Sequence, residues 1–246
     1  GQVVTTLCVS TQVGCRVGCR FCRSGQEGLV RDLTVAEIVA QVWAARRMLG
    51  PDRGLERIVF MGIGEPLDNY GPVAEVIRIL SDPRGMGLAW RRFVVSTVGR
   101  TAGIRRLGEQ FEGKVGLALS LHTLDPRLRR ELMGPGAPRV DRVLEAARAY
   151  PLGPRDRVTV EIVLVAGLND TVPEARAMAR GLAGLRCRIN LIPLNAGACA
   201  HLRTPDERTV ETYRRELTNR GFAVFVRQRR GDSILAACGQ LAFSRV

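Results

Sequence analysis

At 246 residues the chain is long enough for one large domain to bury its own core, and no run approaches the roughly 20 consecutive apolar residues of a membrane-spanning helix. Its 37 basic against 24 acidic residues give a formal charge of +13, which favours a polyanion such as nucleic acid, although every basic residue but Lys114 is arginine, a bias that composition alone also produces. Seven cysteines, three of them crowded between positions 15 and 22, argue against a secreted disulfide framework and for metal or redox chemistry in a reducing cytoplasm, with no membrane partner.

In chain order, apolar runs over Val3–Val9, Arg57–Gly62, Phe93–Thr97, Val115–Leu121, Val158–Val165 and Arg188–Pro193 predict six buried strands, with Phe222–Val226 as a short last one. Helical spacing falls between them, as in Val35–Leu49, Val73–Leu80, Val140–Tyr150, Glu174–Leu182 and Asp206–Asn219, several opened by Thr, Asp or Pro. Strand alternating with helix implies parallel strands joined by right-handed crossovers. The expected fold is α/β, a partial (β/α)6 TIM-like barrel with functional residues at strand C-terminal ends. No linker, low-complexity tract or repeat divides residues 1–246, so one domain is expected.

The loop after the first strand reads Gly14-Cys15-Arg16-Val17-Gly18-Cys19-Arg20-Phe21-Cys22. Three local thiols and no fourth Cys or His fit an iron–sulfur cluster with one open iron better than a structural zinc site. The spacing, with an aromatic before the last Cys, is similar to the signature of the radical SAM superfamily. After the second strand, the glycines of Met61-Gly62-Ile63-Gly64-Glu65-Pro66-Leu67 permit close backbone approach, and Glu65 suits an ammonium group. Ser96 ends the third strand, Ser120-Leu121-His122 the fourth, and Asn195 follows the sixth; taken singly, each is an ordinary structural residue. Cys8 and Cys238 stand outside the triplet, and an isolated Cys is more often a small buried hydrophobe than a reactive thiol. Cys187, Cys199 and His201 are read as structural.

Four segments together resemble the RlmN/Cfr adenine methyltransferases across the whole chain: Cys8-Val9-Ser10-Thr11-Gln12-Val13-Gly14-Cys15, Gly64-Glu65-Pro66-Leu67, Asn190-Leu191-Ile192-Pro193-Leu194-Asn195, and Arg230-Gly231-Asp232 through Ala236-Ala237-Cys238-Gly239-Gln240-Leu241. The resemblance implies a radical SAM core over residues 1–246 ending in a catalytic-cysteine segment, with a 4Fe-4S cluster on Cys15, Cys19 and Cys22. It also implies two S-adenosyl-L-methionine molecules per turnover, bound through Gly64, Glu65, Ser96, Ser120, Leu121, His122 and Asn195. Cys238 would carry a methyl group as methyl-Cys238, and Cys8 would resolve the protein–RNA adduct, leaving a Cys8–Cys238 disulfide to be reduced. The implied product is adenine methylated at carbon 2 in 23S ribosomal RNA and also transfer RNA, with an electron donor such as flavodoxin or ferredoxin.

The family's N-terminal domain, which holds an acidic residue proposed as proton acceptor, is not expected, since Cys8 lies near the start. Ala196-Gly197-Ala198-Cys199 replaces a Pro-containing stretch, Arg23 a small residue and Asp32 an Asn, so substrate-facing loops are expected to differ. Phosphate contacts are expected among Arg91-Arg92, Arg127-Arg129-Arg130 and Arg227-Arg229-Arg230. Three alternatives stay open: methylation at carbon 8, radical methylation of a smaller substrate, and a non-enzymatic RNA-binding protein with a structural cluster.

Overall fold

The computed structural model describes residues 5–50, 54–195, 199 and 201–227. Its elements run β1 (Thr6–Cys8), β2 (Gln12–Gly14), α1 (Arg23–Gln26), β3 (Leu29–Asp32), α2 (Val35–Leu49), β4 (Arg57–Phe60), α3 (Tyr70–Ser81), β5 (Phe93–Thr97) and α4 (Thr101–Gln110). They continue with β6 (Gly116–Ser120), α5 (Pro126–Met133), α6 (Val140–Arg148), β7 (Val158–Leu164), α7 (Val172–Gly181), β8 (Cys187–Pro193), α8 (Glu207–Thr218) and β9 (Ala223–Val226).

Seven strands form one sheet in the order β1-β4-β5-β6-β7-β8-β9, every neighbouring pair parallel, and it curls into a half-barrel. Adjacent residues, which point to opposite faces, are buried together in β4 (Ile58, Val59, Phe60), β6 (Leu117, Ala118, Leu119) and β7 (Val158 to Ile162), which is why these strands read as continuous runs with few polar breaks. Helices pack outside them through Val73, Ile77, Ile104, Leu107, Val143 and Met178. Each such side chain contributes about 1.5–3 kcal/mol on burial. Starts are fixed locally: Thr34 and Glu37 form a capping box on α2, while Asp125, Thr171 and Asp206 accept backbone N–H groups at the heads of α5, α7 and α8.

The strand–helix alternation and barrel class hold, and Phe222–Val226 joins the sheet as a full parallel neighbour of β8. The antiparallel β2–β3 hairpin was absent from the apolar pattern because its strands are 3 and 4 residues long and its β3 strand is largely exposed. The α4 and α5 helices also escaped it, α4 because Gly103 and Gly108 dilute its period and α5 because four of its eight residues are charged. No helix of the described residues is long and apolar enough to cross a membrane.

Candidate active site

Parallel strands place all their C-terminal ends on one side, and the loops there share one cavity. The cysteine loop leaves the hairpin at Gly14 and is pinned by Cys15 N–H donating to the Gly28 carbonyl and Arg20 N–H to the Leu132 carbonyl. Gly18, at φ 82°, reverses the chain between Cys15 and Cys19 in a conformation that side chains resist. The three thiols pack against an apolar cluster of Val17, Phe21, Val98, Leu132, Met133, Val165 and Leu194.

Burial pushes the Cys15 thiol up to about 11, aided by the nearby Cys22 and Glu65 and opposed by the Val17 backbone. Burial pushes Cys19 higher still, with Cys22 and Cys15 adding to it and Arg129 opposing. Among the described residues no three His, Cys, Asp or Glu side chains converge on one point, as a single metal ion requires. A cluster asks instead for one thiolate per iron around its body. Three soft donors lining one cavity, near enough that Cys22 acts on both Cys15 and Cys19, fit that demand, and Cys15, Cys19 and Cys22 are the residues that would hold it.

Glu65 is buried on the turn after β4. Its carboxylate accepts from Leu67 N–H at 3.0 Å and Val98 N–H at 2.8 Å, and its own N–H donates to Gln12 Oε1 at 2.8 Å. Burial nevertheless lifts it to about 7. Ser96 and Ser120 stand at the ends of β5 and β6 with hydroxyl oxygens 3.5 Å apart. His122 holds φ 63°, accepts Val163 N–H on Nδ1 at 3.0 Å and meets Phe21 edge-on at 4.6 Å. An accepting Nδ1 assigns the ring proton to Nε2, and burial first, then the Arg129 charge, push the ring down to about 3. The histidine is neutral.

The three thiols, Gly64, Glu65, Ser96, Ser120, His122 and Asn195 line a single cavity of about 1020 Å³, counting its open mouth. Cys8 ends β1, exposed and outside the lining, and Cys238 lies outside the described residues. The Leu121 side chain is fully buried in the core rather than at the cavity. Cys187 is buried, Cys199 partly so, and His201 is exposed.

Arg129 corrects the phosphate reading of its cluster: it is 2% exposed, and its guanidinium donates to the carbonyls of Val98, Ser120, Leu121 and Pro138. Arg91, Arg92, Arg127 and Arg130 are exposed, Arg227 lies beside Glu161, and Arg229 to Asp232 fall outside the described residues. The sequence reading missed Glu161, which also lines the cavity. Its signal was a lone charge inside the apolar strand Val-Thr-Val-Glu-Ile-Val-Leu.

Residues 9–178 match the model of the Radical SAM superfamily. The chain is 47% identical to a dual-specificity RNA methyltransferase RlmN of Sorangium cellulosum (strain So ce56), covering 98% of this chain and 62% of that one. It is 44% identical to the RlmN protein of Syntrophobacter fumaroxidans (strain DSM 10017 / MPOB), over 96% and 69%. A crystal structure of a radical SAM methyltransferase from Sphaerobacter thermophilus superposes with a TM-score of 0.89 at 43% identity, over 96% and 69%. The chain thus spans about two thirds of the length of these relatives.

Proposed function

The chain belongs to the radical SAM superfamily and, within it, to the RlmN family, and from that premise we propose that it methylates carbon 2 of an adenine in 23S ribosomal RNA and in transfer RNA. The observation that carries this reading is the shared cavity: three thiols at one side, with Glu65, two serine hydroxyls, a neutral histidine and an asparagine amide around the rest. When bound, a 4Fe-4S cluster supplies the electron that cleaves S-adenosyl-L-methionine to a 5′-deoxyadenosyl radical, drawn from a carrier such as flavodoxin or ferredoxin.

The chain's own residues do the rest. Glu65, whose two backbone donors leave lone pairs over, takes the ammonium group of the cofactor, which favours its ionised form. Ser96, Ser120, His122 through Nε2–H, and Asn195 orient the remainder, and the apolar wall around Val17, Phe21 and Val98 excludes water from a radical. Adenine carbon 2 is electron-poor, so it cannot attack a sulfonium methyl, and the one-carbon unit must arrive as a radical on a carrier. Cys238 is that carrier: its methyl gives a hydrogen atom to the 5′-deoxyadenosyl radical and the methylene adds to carbon 2; once the adduct has given back one electron and carbon 2 its proton, Cys8, exposed at the end of β1, attacks the Cys238 sulfur, so that the sulfur–carbon bond breaks as the disulfide forms and the freed carbon takes a proton to become methyl. Residues 1–246 then act as one radical SAM core with a C-terminal cysteine segment.

The test is an anaerobic assay of cluster-loaded protein with RNA, read by mass spectrometry of nucleosides. We expect 2-methyladenosine from the wild type and none from Cys238→Ala, with 5′-deoxyadenosine from dithionite-reduced enzyme. Unmodified RNA from a protein that does make 5′-deoxyadenosine would overturn the RNA assignment while leaving the radical chemistry intact.

A further inference from the structure

Arg100 caps the head of α4, outside the cavity lining. Its Nη2 donates to Asp68 Oδ2 at 2.9 Å, its Nε faces Asp68 Oδ1 at an ion-pair distance of 2.8 Å, and its Nη1 donates to the Gly136 carbonyl at 3.1 Å. Asp68 belongs to the turn after β4, where its N–H donates to the Glu65 carbonyl at 3.1 Å. Gly134 and Gly136 face the Val17 carbonyl of the cysteine loop, so closely that an added Cβ would stand 3.0 and 3.7 Å from it. The pair therefore ties the turn that carries Glu65 to the segment that backs the cysteine loop.

Among the ion pairs of the described residues, this is the one in which both side chains are at most a quarter exposed, 25% for Arg100 and 21% for Asp68. Solvent and salt screen it least, so its charges reach furthest into the protein. Asp68 acts on Cys15 and on Glu65 alike, disfavouring negative charge on each, while Arg129 favours it on Cys19. Glu65 is committed to the cofactor's ammonium group by the reading above, and Arg129 to backbone carbonyls. Asp68 is then a carboxylate beside the thiols with no part in the chemistry, and Arg100 is the cation that offsets it. A cluster gains one negative charge when it is reduced, so the net charge around it moves its potential. A bare carboxylate there makes the electron harder to add; a paired one does not.

We propose that Arg100, by pairing with Asp68, neutralises a carboxylate beside the cluster and so holds the cluster's reduction potential above the value Asp68 alone would impose. The inference rests on Cys15, Cys19 and Cys22 holding that cluster.

The test is a mediated redox titration of cluster-loaded wild type, Arg100→Gln, Asp68→Asn, the double variant and Arg100→Lys, without S-adenosylmethionine. Electron paramagnetic resonance reads the reduced cluster, and circular dichroism and cluster absorbance check fold and loading. Arg100→Gln should lower the midpoint and Asp68→Asn raise it, each changing the ratio of reduced to oxidised cluster at a fixed potential by severalfold to about tenfold. The double variant, which removes both charges, should return close to the wild type. Arg100→Lys keeps the charge without the planar fork that also reaches Gly136, and it too should stay near the wild type. If Arg100→Gln does not hold its cluster, the upward shift of Asp68→Asn decides. Equal midpoints, a shift of the same sign in both single variants, or an Arg100→Lys midpoint as low as that of Arg100→Gln overturn the charge pairing alone. A wild type that takes up no cluster overturns the cluster assignment and this inference with it.

Discussion

Two buried groups of the site pull the protein's pH response in opposite directions. Glu65 is raised from its ordinary value near 4.5 to about 7, so across that window the native state holds a proton that the unfolded chain gives up, and stability falls as pH rises. His122 is lowered from 6.5 to about 3, so the unfolded chain gains a proton that the native state refuses, and stability rises with pH up to 6.5. Each slope has a ceiling of about 1.4 kcal/mol per pH unit. Between pH 4.5 and 6.5 they oppose one another in the wild type. Glu65→Gln removes the falling contribution alone, so its unfolding free energy, relative to wild type, should climb with pH by up to about 1.4 kcal/mol per unit. Urea unfolding of cluster-free protein at three pH values checks this, and parallel curves for the two proteins would refute it. The sequence exposed Glu65 and His122 through their turn and strand-end positions, but not their charge states, which follow from burial by distant segments such as Phe21 and Val98. Gly64 was legible as a close backbone approach, yet what approaches is Gln12, whose side chain would sit 2.6 Å from a Cβ there.

At the scale of elements, the strand ends are held together from below by one side chain. Arg129, on the short α5, donates to carbonyls at the ends of β5 and β6 and to Pro138 ahead of α6. Those carbonyls belong to the segments that carry Ser96, Ser120 and His122. Burial lowers the guanidinium to about 10, opposed by the Cys19 thiol, and it stays charged at neutral pH. Arg129→Ala would leave buried carbonyls unpaired at about 1–3 kcal/mol each, a total comparable with the roughly 5–15 kcal/mol that holds a domain folded. Denaturant titration should therefore show most of the stability lost, against little change for exposed Arg130→Ala; similar midpoints for the two would contradict the role. In the sequence these arginines sit side by side and look alike. Only the helix phase relative to the strand ends, a product of tertiary packing, turns one inward and leaves its neighbours in solvent. The parallel strands were legible for the opposite reason: burial on both faces writes itself into consecutive residues, whereas a single inward arginine writes nothing.

For the molecule as a whole, the formal charge of +13 matters through where it is displayed. Many helix arginines are matched locally, as in Arg78–Glu75, Arg142–Glu145, Arg214–Glu211 and Arg220–Glu216, and cancel within their own surface turn. At the cavity side, Arg16 and Arg23 are exposed on or just after the cysteine loop, and Arg127 and Arg130 on α5. The two segments are joined by Arg20 N–H donating to the Leu132 carbonyl. On the proposed function, an RNA strand delivers its base to that cavity, and these arginines are the exposed cations of the cysteine loop and α5 that its phosphates can meet. Binding should weaken steeply with salt, with a log–log slope of about −0.7 to −0.9 per phosphate neutralised. Replacing Arg16 and Arg23 by Gln should then flatten the slope by about one to two such steps and weaken binding alike for adenine-containing and adenine-free RNAs, because phosphate contacts carry no base information. Fluorescence anisotropy between low and moderate salt measures both quantities. An unchanged slope in the double variant would move the RNA path away from these arginines, while a loss confined to adenine-containing RNA would make them readers of the base instead of the backbone.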